Sequence, residues 1–533
     1  MSASLVGALG SPKRTTLTVG RELRWKGQTV TVLSLGNIFA TVQLPVRRAV
    51  TVMSPASART WWPGQLPSRW KTAFWLAVAL VAALFAAEGP RLYRTALLGS
   101  GFTAQMLCGT VFISGRDEEG ARASDLSGPG YELLRFFGPR IERDAKRVTA
   151  SLFGLASQTA IFRDGLGCTL IDGKTEEDLR GAEPGLPPLQ APSADALWPD
   201  GERVDLTPAA DVDLSALNPA MVAAFDEPDQ AHPRNTRALV VAHRGRIVAE
   251  RYARGFDANM PLLGWSMTKS ALNALIGLRV KDGKLAVDDK DLLPDWRSDQ
   301  RRDVSVDDLL RMSSGLAFDE NYADPLADVT QMLFIEGDKA KFAASKPLMH
   351  PPATHWQYSS GTSVILARVL RNTFDSEGEY LRYARERLFA PLGMRSAVLA
   401  PDAAGTLVAS SFLYATARDF ARLGLLYLQD GVWRGQTILA KDWVVYSRGP
   451  TRTLPDGSFG AHIWLRLPQS PQLGVPPMPE DAYYFLGHDQ QIVAIVPSRD
   501  LVIVKLGLTQ KGADWDHAKV LAPIVAAFPP VAP

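Results

Sequence analysis

Ser266 and Lys269 lie three residues apart in Gly264-Trp265-Ser266-Met267-Thr268-Lys269, directly ahead of an apolar helical run, SALNALIGLRV. On a helix, positions i and i+3 share a face, so an amine at Lys269 can reach a hydroxyl at Ser266. A helix N-terminus adds positive potential and free N–H groups for a developing oxyanion. The chemistry these residues allow is attack by a serine whose proton passes to lysine, which acts as a base only where burial lowers its pKa. The pattern alone is not selective. Ser68-Arg69-Trp70-Lys71 matches it too, and about one or two chance matches are expected in a chain of this length.

Two later segments separate the pair from its decoy. Trp356-Gln357-Tyr358-Ser359-Ser360-Gly361 holds the only Tyr-x-Ser/Asn of the chain. A tyrosine near a cationic lysine has a reason to ionise or to relay protons, because positive charge favours the phenolate. Gly487-His488-Asp489-Gln490-Gln491 stands immediately before a strongly apolar run, QIVAIV.

The elements that must position these residues are legible as a frame. A hairpin is expected at Ala238–Ala242, the turn His243-Arg244-Gly245 and Ile247–Tyr252, after a short helix near Asn218–Phe225. A second pair of strands, Gln491–Val496 and Leu501–Leu506, flanks the turn Pro497–Asp500, and a helical run at Asp516–Phe528 comes after them. Between them, Ser305/Asp308 and Thr416/Asp419 open capped helices. The fold class expected is α+β: one antiparallel sheet built from both ends of the domain, flanked by helices, with an all-helical insertion.

In this order, the three segments resemble those of the serine β-lactamases, penicillin-binding DD-peptidases and related esterases. The similarity runs from about residue 196 to 530 and takes in LLRMSSGL (309–316), MHPPATHWQYSS (349–360) and TARDFARLG (416–424). The branch most resembled is the 6-aminohexanoate-dimer hydrolase-like group. The resemblance implies that Ser266 forms an acyl-enzyme with Lys269 as its base, while Tyr358 passes protons to the leaving group and helps activate the deacylating water. Ser360 would hold the lysine or the substrate amide. The backbone N–H groups of Ser266 and Gln491 would make the oxyanion hole. His488 stands where a substrate carboxylate would be recognised, although a Lys-Thr-Gly triplet is usual there in the β-lactamases proper. Gln490 replaces a glycine and adds bulk beside the strand where substrate should lie. No acidic deacylation residue of the class A kind can be placed. These departures weigh against a good β-lactamase.

Composition bounds the rest. The chain has 533 residues, 46% of them hydrophobic and 21% charged, with a net charge of +2 and seven histidines. That is globular usage and gives no case for nucleic acid. No metal or cofactor is expected: the only cysteines, Cys108 and Cys168, cannot make a four-ligand zinc site. They either form one disulfide in an exported domain or remain two buried thiols. His350 and His355 are read as loop packing, and His232, His243, His462 and His517 carry no signal.

Thr72–Ala87 is an uncharged apolar run with Arg69 and Lys71 before it and Glu88 after it. As a helix it spans about 24 Å, a little short of a bilayer core. A transmembrane anchor over 71–88 is expected, placing the remainder outside the cytoplasm at the inner (plasma) membrane; a cleaved signal segment would give a secreted, periplasmic form. Residues 1–70 fit poorly with the rest of the chain, and translation from Met53 would put a basic segment directly before the run. Residues 89–195 read as an exported connecting region that ends in the proline-rich GLPPLQAP (185–192), and 196–533 as the hydrolase domain. The leading expectation is hydrolysis of a small-molecule ester or small amide. The alternatives are DD-peptidase or β-lactamase activity on cell-wall-type substrates, and a membrane-anchored binding or sensor protein that acylates without turnover.

Overall fold

The computed structural model describes residues 68–533 apart from 129, 187–188, 190–194, 208, 468–476, 510–511 and 532–533, together with three strands between residues 18 and 42. The chain forms two compact units, Met1–Ala83 and Leu84–Pro533. In the first, Thr18–Trp25, Gln28–Leu35 and Ile38–Val42 pair as an antiparallel sheet, although this stretch shows no persistent period in sequence. Met53 and the proposed basic segment lie outside the described residues.

A long helix, α1 (Ser68–Cys108), includes the backbone of both the Ser68–Lys71 decoy and the apolar run Thr72–Ala87. Most side chains of these two stretches lie outside the described residues; Phe74, Trp75 and Leu76 are described and exposed. Farther along, Glu88–Ile113 is long and apolar enough to cross a membrane, but 72% of its most apolar window is buried in the body. From Gly99 on, α1 is largely a core helix. Its end is fixed covalently, because Cys108 is disulfide-bonded to Cys168, which settles the two readings of the cysteines in favour of a bond. Closing a loop of this length removes about 4 kcal/mol of unfolded-state entropy in the chain-entropy account.

Cys168 belongs to a four-stranded antiparallel sheet, Phe137–Glu142, Arg147–Leu152, Leu155–Arg163 and Gly167–Leu170. The stretch expected to connect therefore has its own sheet and belongs to the same compact unit as everything to Pro533. An ion cluster joins it to the main sheet. Arg116 and Arg237 both bind Asp125, and the ring of Phe256 lies 5.0 and 4.9 Å from the two guanidinium carbons. Burial pushes the Asp125 carboxyl up, but Arg237 and Arg116 together pull it below its ordinary value.

The main sheet carries the site. Its strands are β1 (Thr236–His243), β2 (Arg246–Tyr252), β3 (Tyr483–Gly487), β4 (Gln491–Val496) and β5 (Leu501–Gly507), in the spatial order β3-β4-β5-β1-β2. Every neighbouring pair is antiparallel. The two ends of the domain thus meet where β5 pairs with β1, as the terminal strand pattern predicts. Strands β1, β4 and β5 are buried along their whole length, which explains why they read as unbroken apolar runs rather than alternating ones.

On one face lie α2 (Leu214–Ala223) and α6 (His517–Ala526), whose Leu217, Met221, Leu521 and Ile524 pack with Leu239, Ile492 and Ile503. The other face meets the helical insertion, with Val240, Val493, Val502 and Val504 in its core. Three helices of the insertion border the nucleophile: α3 (Thr268–Lys281), α4 (Ser360–Arg371) and α5 (Ala417–Leu428). The expected caps form. Ser305 and Asp308 make a reciprocal capping box, and Thr416 accepts from the Asp419 N–H. Residues 84–533 are therefore a mixed α/β body of antiparallel sheets and helices.

Candidate active site

Ser266 sits in a single tight turn, Trp265–Met267, that runs into α3. Trp265 enters it with φ of 48°, a left-handed conformation that costs a bulky residue about 1–3 kcal/mol and persists only when its surroundings impose it. Those surroundings are visible. Gly264 N–H donates to the Leu413 carbonyl at 2.8 Å. The Thr268 hydroxyl donates to the Trp265 carbonyl at 2.5 Å and accepts from the Leu413 N–H at 3.1 Å. A Cβ on Gly264 would lie 2.5 Å from the Phe420 ring of α5, so only glycine lets the turn approach this closely.

One helical turn on, Lys269 is buried. Its ammonium reaches Ser266 Oγ at 3.0 Å, Ser360 Oγ at 3.0 Å and the Ser410 carbonyl at 3.1 Å. Three N–H groups meet three acceptors. In the neutral amine two of these bonds can stay, and the lone pair then faces Ser266 Oγ. Burial lowers the Lys269 pKa to about 8, against the opposing pull of the nearby Glu320 carboxylate. About a tenth of the amine is therefore neutral near pH 7, far more than of an exposed lysine.

Tyr358 lies over this pair, its ring centroid 4.9 Å from Lys269 Nζ and its hydroxyl facing that of Ser266. Stacking on Trp464 at 5.7 Å fixes the ring. Burial pushes the phenol well above its ordinary pKa. Of the two roles expected for Tyr358, ionising or relaying protons, this burial works against the first and leaves a phenol that can donate and accept. Ser360, at the first position of α4, donates from Oγ to Glu320 Oε1 at 2.6 Å and from its N–H to Oε2 at 2.8 Å.

His488, Asp489 and Gln490 form the turn between β3 and β4, with Gly487 paired to Gln491 across it. The turn presses on the nucleophile: a Cβ on Gly487 would fall 2.3 Å from the Gly264 carbonyl oxygen. The His488 ring stacks on Tyr322 at 4.7 Å and meets Trp265 edge-on at 5.4 Å. Gln490 lies in the turn that leads into β4. The Gln491 side chain points into the sheet, exchanging hydrogen bonds with the N–H and carbonyl of Gly507 at 2.9 and 2.5 Å. The Gln491 backbone N–H donates to the His488 carbonyl across the turn.

All six sequence-derived residues, Ser266, Lys269, Tyr358, Ser360, His488 and Gln491, belong to this neighbourhood. Two further residues carry no sequence signal. Glu320 is one acid among several in FDENYADPLAD, and only the fold singles it out by placing it against Ser360 and Lys269. Its carboxyl is pushed up by burial and pulled back by Lys269 and by the Ser360 hydrogen bonds. His462 is buried behind the lysine. Its Nε2 lies 3.1 Å from Ser363 Oγ of α4, and its carbonyl accepts from Ser270 Oγ of α3 at 2.9 Å. Burial, with Lys269 adding to it, lowers the ring to about 3, so it is a neutral tie between the helices bearing Lys269 and Ser360. His350 and His355 stack ring on ring at 4.1 Å. Among the described residues, no group of three or more His, Cys, Asp or Glu could hold a metal ion.

The β-lactamase family profile matches residues 221–524, more than half of the chain, and the chain belongs to this family of serine hydrolases with its mixed α/β fold. Within it, the chain is 25% identical over 252 residues to the 6-aminohexanoate-dimer hydrolase of Paenarthrobacter ureafaciens, covering 43% of this chain and 64% of that protein. The chain thus spans less than two thirds of that relative's length. Among solved structures, a candidate 6-aminohexanoate-dimer hydrolase from Bacillus anthracis aligns with a TM-score of 0.47 and 21% identity over 55% of this chain and 78% of that one. A penicillin-binding protein from Bacillus halodurans aligns with a TM-score of 0.44 and 18% identity over 58% and 99%.

Proposed function

We propose that the protein hydrolyses an ester or a small linear amide through an acyl-serine intermediate on Ser266. The observation that carries this reading is the placement of Lys269. A buried amine with a pKa of about 8 has two of its three partners fixed by the fold and its third in the hydroxyl of Ser266. In the first step Ser266 Oγ bonds to the substrate carbonyl carbon and its proton goes to neutral Lys269. As the tetrahedral adduct collapses, that proton returns to the leaving oxygen or nitrogen, with the Tyr358 hydroxyl as carrier. Water then repeats the sequence on the acyl-enzyme. The N–H of Ser266 holds the oxyanion in both halves, and that of Gln491 joins it by exchanging its bond to the His488 carbonyl for one to substrate.

Two features bear on the substrate. The relative named for 6-aminohexanoate-dimer hydrolysis supports a linear amide. His488, packed between two aromatic rings, is a poor substitute for a permanent cation toward a carboxylate. Turnover of p-nitrophenyl esters and linear aminoacyl amides by purified protein, without covalent capture of a fluorescent penicillin, is the expected result. Stable penicillin capture would move the reading to cell-wall-type substrates, and labelling of Ser266 without turnover to a sensor.

On the same reading the body lies outside the cytoplasm, held at the plasma membrane by the apolar run Thr72–Ala87. The disulfide Cys108–Cys168 supports it, since such bonds persist in oxidising compartments. Thiol alkylation of intact cells before and after reduction, with mass analysis of the products, should find both cysteines blocked until reduction. Free thiols in the native protein would contradict export.

A further inference from the structure

The four-stranded sheet that holds Cys168 lies along α1, and contacts at its two ends fix the direction in which it runs. At one end Phe162 stacks at 5.9 Å on Phe112, just past the end of α1 and near the Cys108–Cys168 bond. At the other, Phe137 packs against Gly99 so closely that a Cβ there would meet its ring at 2.3 Å. Phe137 pairs with Leu152, and Leu152 with Leu155 across the turn Phe153-Gly154. That turn therefore points toward the N-terminal end of α1, the end at which the chain carries the apolar run Thr72–Ala87.

This end of the body presents large apolar side chains to solvent. Phe153 is 79% exposed and Leu155 71%, more than any other large hydrophobic residue among those described. The exposed ring of Phe136 lies 6.2 Å from that of Phe153. Leu133, also exposed, precedes it by three residues in the short 3-10 turn Glu132–Phe136, where side chains at that spacing lie on one side. Leu92 is exposed as well. It stands seven residues before Gly99, on the same face of α1 and two turns nearer the apolar run. Arg135 borders the group, its guanidinium carbon 4.9 Å from the Phe136 ring. Scattered apolar side chains need no explanation, but a contiguous exposed patch marks a contact.

We propose that this patch, Leu92, Leu133, Phe136, Phe153 and Leu155, rests on the lipid bilayer as a second membrane contact beside the anchor. The inference rests on the reading of Thr72–Ala87 as that anchor and extends it to the folded body. Aromatic and leucine side chains with an arginine at their edge suit the headgroup boundary, where rings sit at the apolar margin and a cation stays wet. From Ala87 to Gly99 is about 18 Å of helix, and two features shorten the approach. The apolar run is shorter than a bilayer core, which draws the body inward. Pro90 lies inside α1 between Ala87 and Leu92, where a bend can lean the sheet over toward the surface. Held at two points, the hydrolase body cannot swing freely about α1.

The test uses the full chain reconstituted into phosphatidylcholine–phosphatidylglycerol vesicles. An environment-sensitive fluorophore is placed on Leu155→Cys or, at the far end of the same sheet, on Asp144→Cys. The native cysteines are bonded to each other, so the introduced one takes the label. The label at 155 should emit to the blue of that at 144, resist iodide and be quenched by brominated lipid, while that at 144 behaves as in water. Adding Phe136→Ser and Phe153→Asn should remove most of the lipid quenching and leave p-nitrophenyl ester turnover unchanged; asparagine tolerates the φ of 51° at position 153. Equal iodide quenching at 155 and 144 in vesicle-bound protein overturns the inference. Shielding from iodide without quenching by brominated lipid also overturns it, because protein, either a second copy or residues 1–67 of this chain, then covers the patch. Protein that fails to float with the vesicles overturns the anchor reading and this inference with it, an outcome distinct from stable incorporation with an aqueous label at 155.

Discussion

Lys269 and Lys339 are both buried, and in each case burial lowers the ammonium's pKa to about 8. Their surroundings differ in kind. Lys339 donates to the carbonyls of Met332 and Glu336 at 3.0 and 2.8 Å, at and just beyond the end of the helix Asp328–Phe334. Those acceptors have no proton to give. Lys269 faces two hydroxyls and one carbonyl, and one hydroxyl belongs to a partly exposed serine on a strained turn. The same depressed pKa is thus structural in one region and chemical in the other. A perturbed pKa marks a candidate, and the neighbouring acceptor decides what it can do.

The comparison can be broken most forcefully at Ser266. Ser266→Ala should reduce ester turnover by about 10³-fold or more while leaving the unfolding midpoint near wild type. Activity within tenfold would remove the chemical half of the contrast. Next, Lys269→Met should cost at least about 10²-fold in kcat, the share of a general base. Lys339→Met should instead leave kcat nearly unchanged and lower stability by about 1.5–3 kcal/mol, read from the denaturant midpoint, because charged hydrogen bonds to helix-end carbonyls are lost. Exchanged outcomes for the two lysines would invert the account.

The smallest expected effect concerns pH. Only neutral Lys269 can take the proton, so kcat/KM should rise with pH and level off above about 8. The Glu320 carboxylate favours the ammonium form and holds that pKa up. Glu320→Gln should therefore move the rising limb to lower pH, whatever it does to the plateau. A shift to higher pH would mean that Glu320 does not face the lysine as a carboxylate.

Legibility in sequence depends on whether a feature is local. The sheet was legible because β1, β4 and β5 are apolar runs bounded by turn residues, and the caps at Ser305 and Thr416 are local. Ser266, Lys269, Tyr358 and Ser360 were legible because residue type and spacing both matter at those positions. Glu320 and His462 were not, since each acquires meaning only from long-range neighbours: Ser360 and Ser363. The third partner of Lys269 is a backbone carbonyl at Ser410, which no side-chain pattern can announce. Tyr358 is legible in position only: charge proximity is readable from spacing, whereas the burial that works against its ionisation is not. The stretch 89–195 read as connecting because what ties it to the rest is long-range: its disulfide links two of its own residues, and the Asp125–Arg237 pair reaches the main sheet.

The central claim, that Ser266 is acylated with Lys269 as its base, is tested most directly by reacting the full-length protein with a fluorophosphonate and mapping the adduct by peptide mass spectrometry. A single adduct on Ser266, absent from Ser266→Ala and formed at least about 10²-fold more slowly in Lys269→Met, is the predicted result. An adduct on another residue, or labelling that persists at the wild-type rate in Lys269→Met, would contradict it.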